Sequence, residues 1–114
     1  MKKITLATIK SIKRNGGATI NKYGVRVYMK SGYQVSKCDL LVIPVDELNK
    51  LVIIELIKKL SNRGDYLGVW IDGDRAYIDI SCRIDTKSKA IAMGRELNQL
   101  TILRWSDMEC LAVE

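Results

Sequence analysis

The chain has no histidine and no phenylalanine, one proline and three cysteines among 114 residues. Without histidine there is no serine or cysteine triad of the usual kind, no imidazole metal ligand and no histidine general base. Cys38, Cys82 and Cys110 are widely separated. No two stand at the spacing of a zinc knuckle or a redox pair, so they read as reduced thiols behaving as small hydrophobic side chains. No apolar run approaches the roughly 18–20 residues needed to span a bilayer. Leu51–Ile54 is closed by Glu55, and the run beginning at Leu40 is closed by Asp46. Lys2-Lys3 precede only the short Ile4–Ile9 stretch, which is too polar for a secretory leader. These absences predict a cytoplasmic protein with no membrane partner.

Phosphate loops are missing too. Asn15-Gly16-Gly17 has neither the spacing nor the Lys-Ser/Thr that such a loop needs. Asp72-Gly73-Asp74 is too short to give calcium its six to eight oxygens, and reads as a turn. The sequence therefore predicts no metal, no cofactor and no catalytic residue, although carboxylates such as Asp79 remain.

Acidic residues are absent from the first third. Before Asp39 there is none, whereas Lys2, Lys3, Lys10, Lys13, Arg14, Lys22, Arg26, Lys30 and Lys37 give nine positive charges. From Asp39 onward ten basic residues meet thirteen acidic ones, so the net charge of +6 belongs to the N-terminal third. Segregation of this kind points to an anionic partner, nucleic acid or an acidic protein surface.

What is present is a soluble-type composition, 47% apolar and 28% charged, in a length that fits one domain. The core must be built from Leu, Ile and Val, with two Trp and five Tyr as its larger pieces. Thr5 caps an expected helix over Leu6–Arg14, with Leu6, Ile9 and Ile12 on one stripe and Asn15-Gly16-Gly17 as its stop. Strands are expected at Ala18–Lys22, Val25–Lys30 and Tyr33–Cys38. A further run, Leu40–Val45, should sit at an edge or end at Pro44. Asp46 is expected to cap a main helix over Glu47–Asn62, stopping at Arg63-Gly64. Its apolar girth predicts packing on two sides, against the sheet and against another helix or a second subunit, which leaves a homodimer open.

The clearest pattern is a hairpin. Tyr66–Ile71 and Ala76–Ser81 both alternate with period two around Asp72-Gly73-Asp74-Arg75, where Gly-Asp suits a two-residue turn. That turn pairs Ile71 with Ala76, Val69 with Ile78 and Leu67 with Ile80 on an apolar face. The other face pairs Trp70 with Tyr77, Gly68 with Asp79 and Tyr66 with Ser81. A third helix, capped by Asp85 or Thr86, runs to about Leu97 with Ala90, Gly94 and Leu97 inward. A strand at Leu100–Trp105 and a short tail, Glu109–Val113, complete one α+β domain over residues 1–114, three helices on a mainly antiparallel sheet.

Two surfaces are candidates for binding. Tyr66, Trp70, Tyr77 and Asp79 form a face able to stack a base or grip a partner's side chain; the alternative is that the Trp70–Tyr77 pair is a cross-strand contact lying under one of the helices. Arg26, Tyr28 and Lys30 on one strand face, with Lys22 nearby and Lys10, Lys13 and Arg14 on the first helix, would interleave cations with an aromatic as phosphate-binding surfaces do.

Several segments carry a family likeness: Asn15-Gly16-Gly17-Ala18-Thr19-Ile20-Asn21, Ser31-Gly32-Tyr33-Gln34-Val35-Ser36, Tyr66–Asp72, Tyr77–Ser81 and Asn98-Gln99-Leu100. In these the chain resembles a group of small orphan proteins encoded by phages and plasmids of Gram-positive bacteria. The shared motifs are turns and core positions, so they specify a family rather than an activity. The resemblance implies a mobile-element protein acting in the host cytoplasm by occupying a host target, with anti-defence proteins such as anti-CRISPR inhibitors as the leading class. The expected function is thus non-enzymatic inhibition of a host defence effector through the basic face, the partner being that protein or its nucleic acid. The alternatives are direct nucleic-acid binding, or a sponge for a nucleotide signal with its pocket around Trp70 and Tyr77.

Overall fold

Three sequence signals set the frame: a capped first helix, a tightly turned central hairpin and a glycine-containing third helix. In the computed structural model, which describes residues 4–60 and 64–113, these become α1 (Leu6–Asn15), β4–β5 (Asp65–Asp72 and Arg75–Ile84) and α3 (Lys87–Glu96). Between and after them lie β1 (Gly17–Ile20), β2 (Arg26–Val27), β3 (Tyr33–Pro44), α2 (Lys50–Ile57), β6 (Thr101–Arg104) and β7 (Glu109–Ala112). All described strands join one antiparallel sheet in the order β2-β1-β4-β5-β3-β6-β7. The fold is α+β, a seven-stranded sheet with three helices.

Local chemistry fixes the element ends. Thr5 Oγ1 accepts from Thr8 N at the start of α1, and Gly16, at φ 82°, takes the left-handed conformation that ends it. Ile9 and Ile12 are buried, but Leu6, expected on the same stripe, is 66% exposed in the first turn; Ile4, just ahead of the helix, is the side chain that enters the core at that end. The main helix is shorter than expected. Asp46 and Glu47 belong to a single 3-10 turn, Val45–Glu47, and the cap is Asn49, whose Oδ1 accepts from Leu51 N and Val52 N. Leu48, buried between turn and helix, separates the two. At its other end the helix stops at Ile57, with Lys58 as the C-cap, five residues short of the expected Asn62; Arg63, expected at the stop, lies outside the described residues.

The hairpin register is the one the turn demands, from Asp72↔Arg75 through Ile71↔Ala76 to Tyr66↔Ser81. Strand β3 runs unbroken for 12 residues where two strands were expected. It absorbs the interruption through register shifts at Ser36/Cys38 and Asp39/Leu41, the bulges that bend a strand without ending it. Pro44 is its last residue, and beyond Gln34 its described neighbour is β5 alone, so the proline does stand at an edge. Strand β2 shrinks to Arg26–Val27, leaving Tyr28 and Lys30 outside it.

The helices share one side of the sheet. Ile9 and Ile12 of α1 and Ile53, Leu56 and Ile57 of α2 pack with Ile20, Leu67, Val69, Ala76 and Ile78. Ala90 of α3 packs with Val35, Ile102 and Val113. Val35 faces Cys82 in the register, and Cys82 shares its phase along β5 with Ile78 and Ile80, so both clusters lie on the same face. A Cβ on Gly94 would come within 2.9 Å of Val113, which is why α3 can sit close to the sheet there. Among the described residues no helix is long and apolar enough to cross a membrane.

Candidate binding face

The opposite phase of the same strands carries the side chains that could recognise something. Trp70 pairs with Tyr77, Gly68 with Asp79 and Tyr66 with Ser81 on β4–β5. Gly17 of β1 lies beside Trp70, and Thr19 beside Gly68. On the other flank, Ser36 of β3 faces Ser81 and Asp39 faces Asp79. No helix covers this phase of β4–β5: Trp70 is 56% and Tyr77 43% exposed. The reading that placed the two aromatics under a helix is therefore excluded.

A groove of about 900 Å³ runs over this face, from Arg26 and Tyr28 at the β2 end to Trp105 and Cys110 at the β7 end. Its volume is that of a site for a ligand or a partner segment. Toward β6 the floor is a satisfied polar chain. Trp105 Nε1 donates to Gln34 Oε1 at 2.9 Å, and Gln34 Nε2 donates to Ser81 Oγ at 2.9 Å. All three residues are buried, so this part is rigid and matched.

The middle is not matched. Asp79 is half-buried and takes part in none of the ion pairs among the described residues. Burial pushes its carboxyl up to about 6; Ser36 opposes the rise and the Asp39 carboxylate adds to it. Ser36 Oγ lies near enough to act on the acid, yet it is itself buried with no partner in hydrogen-bonding geometry. The Asp79 carboxylate lies directly over Gly68, where a Cβ would overlap Oδ1. Gly17 is equally required, since a Cβ there would stand 2.5 Å from the Val69 carbonyl oxygen.

The basic residues are placed differently. Arg26 faces Ile20 in the register and so starts from the helix-covered side. Its Nη1 donates to Ser11 Oγ of α1 and its Nη2 to the Gly17 carbonyl at 3.2 Å, while the Tyr28 ring centre stands 5.2 Å from the guanidinium carbon. Arg14 lies one helical turn beyond Ser11 and is exposed, as is Lys10; Lys13 is half-buried. Lys22 sits over the Tyr23 ring at 5.2 Å in the β1–β2 turn, and Lys30 is exposed in a bend beyond β2. The expected single strand face of Arg26, Tyr28 and Lys30 thus does not form, because pairing with β1 stops at Val27. Of these basic-set residues, Arg26 and Tyr28 line the groove.

Sequence reasoning found Tyr66, Trp70, Tyr77 and Asp79, and it missed Gln34, Ser36, Asp39 and Trp105. A glycine inside a strand, Gly68, was the local sign that something approaches closely. Trp105 had no local sign, since its place depends on a β3–β6 pairing between residues some 71 positions apart. Groups of three or more acidic, cysteine or histidine side chains able to hold a metal do not occur among the described residues. Comparison with protein-family models, with curated proteins and with solved structures returns no match to this chain.

Proposed function

We propose that the chain is a non-catalytic binding protein that blocks a partner stoichiometrically by pressing its helix-free sheet face onto it. The observation that carries this reading is the exposure of Trp70 and Tyr77, with Trp70 lining the groove, on strands whose other face is sealed by helices. Exposed aromatics on a rigid support are what interface hot spots are made of. The basic N-terminal third, Lys10, Lys13, Arg14, Lys22, Arg26 and Lys30, engages an anionic part of the same partner from the rim. The class of partner that the phage and plasmid resemblance suggests is an effector of a bacterial defence system, such as a CRISPR nuclease with its guide RNA.

The test is inhibition of DNA cleavage by purified CRISPR nucleases at increasing ratios of this protein, with Trp70→Ala/Tyr77→Ala and Lys10→Glu/Lys13→Glu/Arg14→Glu variants alongside. Inhibition that saturates at a fixed stoichiometry and is lost in the aromatic variant is expected. Equal inhibition by the folded aromatic variant removes the sheet face from the reading, and absence of inhibition across the panel removes the target class.

Direct nucleic-acid binding is favoured by the Arg26–Tyr28 stack at the groove's rim. It predicts affinity that falls steeply with salt, whereas binding to a protein surface survives moderate salt.

A further inference from the structure

We propose that the middle of the helix-free face is a seat for a guanidinium group, presented as an arginine side chain by a protein partner, with Asp79 supplying the anion and Trp70 and Tyr77 the aromatic walls. This deepens the reading of that face as the partner-binding surface and rests on it.

Charge is the first argument. The ion pairs among the described residues are Lys37–Asp65, Lys58–Glu55, Arg83–Asp85 and Arg104–Asp107. None reaches Asp79, whose charged neighbour is a second acid, Asp39, directly opposite on β3. A partly buried carboxylate facing another carboxylate is unfavourable on its own, and a cation placed between them relieves both desolvation and repulsion. The chain carries nineteen lysines and arginines against thirteen acids, and among the described residues none pairs with Asp79.

Shape is the second. Trp70 and Tyr77 are direct cross-strand partners, and Asp79 is the next residue of the same phase after Tyr77. Gly68, opposite Asp79, contributes no side chain, and the Asp79 carboxylate folds over it toward the strand of Trp70, where Asp79 and Trp70 both line the groove. A planar guanidinium both stacks on an aromatic face and forks onto a carboxylate, which a lysine ammonium does less well. The groove continues past Gln34 and Trp105, where the residues flanking that arginine would lie.

The guanine edge of a nucleotide offers similar donors, but it brings phosphate. Arg26, the cation lining the groove, has both terminal nitrogens engaged by Ser11 and the Gly17 carbonyl, and the two acids repel an anion. Arginine is therefore the better match.

The probes are N-acetyl-arginine amide, its neutral counterpart N-acetyl-citrulline amide, and guanosine monophosphate. Each is titrated into the full chain while the Trp70 indole and the neighbouring backbone amides are followed by NMR. The arginine probe is expected to shift Trp70, Tyr77 and Asp79 saturably and to bind roughly tenfold more tightly than citrulline, the margin a charge-assisted pair adds. Asp79→Asn should abolish that preference while leaving the amide spectrum of the covered face unchanged. Binding should weaken as pH falls through about 6 in the wild type and not in Asp79→Asn. Asp39 is the charged neighbour from β3; β4 offers Gly68 and Trp70, and β1 offers Gly17 and Thr19, none of which carries a charge.

Equal affinity for arginine and citrulline overturns the proposal, as does retained preference in Asp79→Asn. Tighter binding of guanosine monophosphate overturns it in favour of a nucleotide site. Inhibition lost in the Trp70/Tyr77 variant but intact in Asp79→Asn keeps the binding face and refutes the arginine seat alone.

Discussion

The β4–β5 hairpin has two faces made by neighbouring residues, and they have opposite characters. On the covered side Leu67, Val69, Ala76 and Ile78 are each no more than 3% exposed, and lie beneath α1 and α2. On the other side Trp70 and Tyr77 are exposed, Trp70 and Asp79 line a groove, and the acid takes part in none of the ion pairs among the described residues. The backbone ladder is common to both, so the difference comes from side-chain phase alone. Stability is concentrated on one face, which leaves the second free to carry groups that fit poorly without a ligand.

The comparison is broken most severely from the covered side. Truncating Leu67 or Ile78 to alanine should cost about 2–5 kcal/mol, because a fully buried aliphatic side chain leaves a cavity under the helices. Urea unfolding with unchanged slope would measure it. Next in size is Asp79. Its carboxyl rises from 3.8 to about 6 on folding, so the folded state keeps a proton the unfolded chain has released. The resulting penalty is absent below pH about 4, grows between about 4 and 6, and is complete above. Asp79→Asn should therefore match the wild type at low pH and exceed it by about 2 kcal/mol above pH 6, allowing for partial exposure. A pH series of thermal melts tests this; a gap that closes with rising pH would reverse the assignment.

Gly68→Ala is smaller and conditional. Its Cβ overlaps the Asp79 carboxylate, so a loss of about 1 kcal/mol is expected in the wild type and less when Asp79 has first been changed to alanine. A double-mutant cycle reads that coupling directly. Smallest is Trp70→Ala with Tyr77→Ala, where stability should move by about 1 kcal/mol or less while partner binding is lost. A large drop in melting temperature there would mean that the open face, too, holds the fold together.

Much of this was readable beforehand because the hairpin is a local structure. Gly73-Asp74 dictates the turn, the turn dictates the register, and the register sorts Leu67 from Gly68 and Trp70 from Ile71. The caps of α1 at Thr5 and Gly16 are equally local. What could not be read depends on distant partners. β3 looks like two strands because Asp39 breaks its apolar rhythm, and it takes pairing with β5 to show that bulges carry the strand through. Asp46 looks like a better helix cap than Asn49 until burial of Leu48 turns the chain between them. The site followed the same division: its β4–β5 half was visible in the alternation, whereas Gln34, Ser36, Asp39 and Trp105 enter from β3 and β6 across long loops.

One margin of the sheet has a further consequence. Once β6 has left it after Gln34, β3 continues with no further strand on its outer side among the described residues, next to exposed Leu41 and Val42. Such a border invites another chain to add itself. Two bulges and a terminal proline interrupt it within a few residues, so no visiting strand finds an even run of bonds to zip onto. Straightening those irregularities would turn a quiet border into an adhesive one, and crowding of copies into extended sheets would follow.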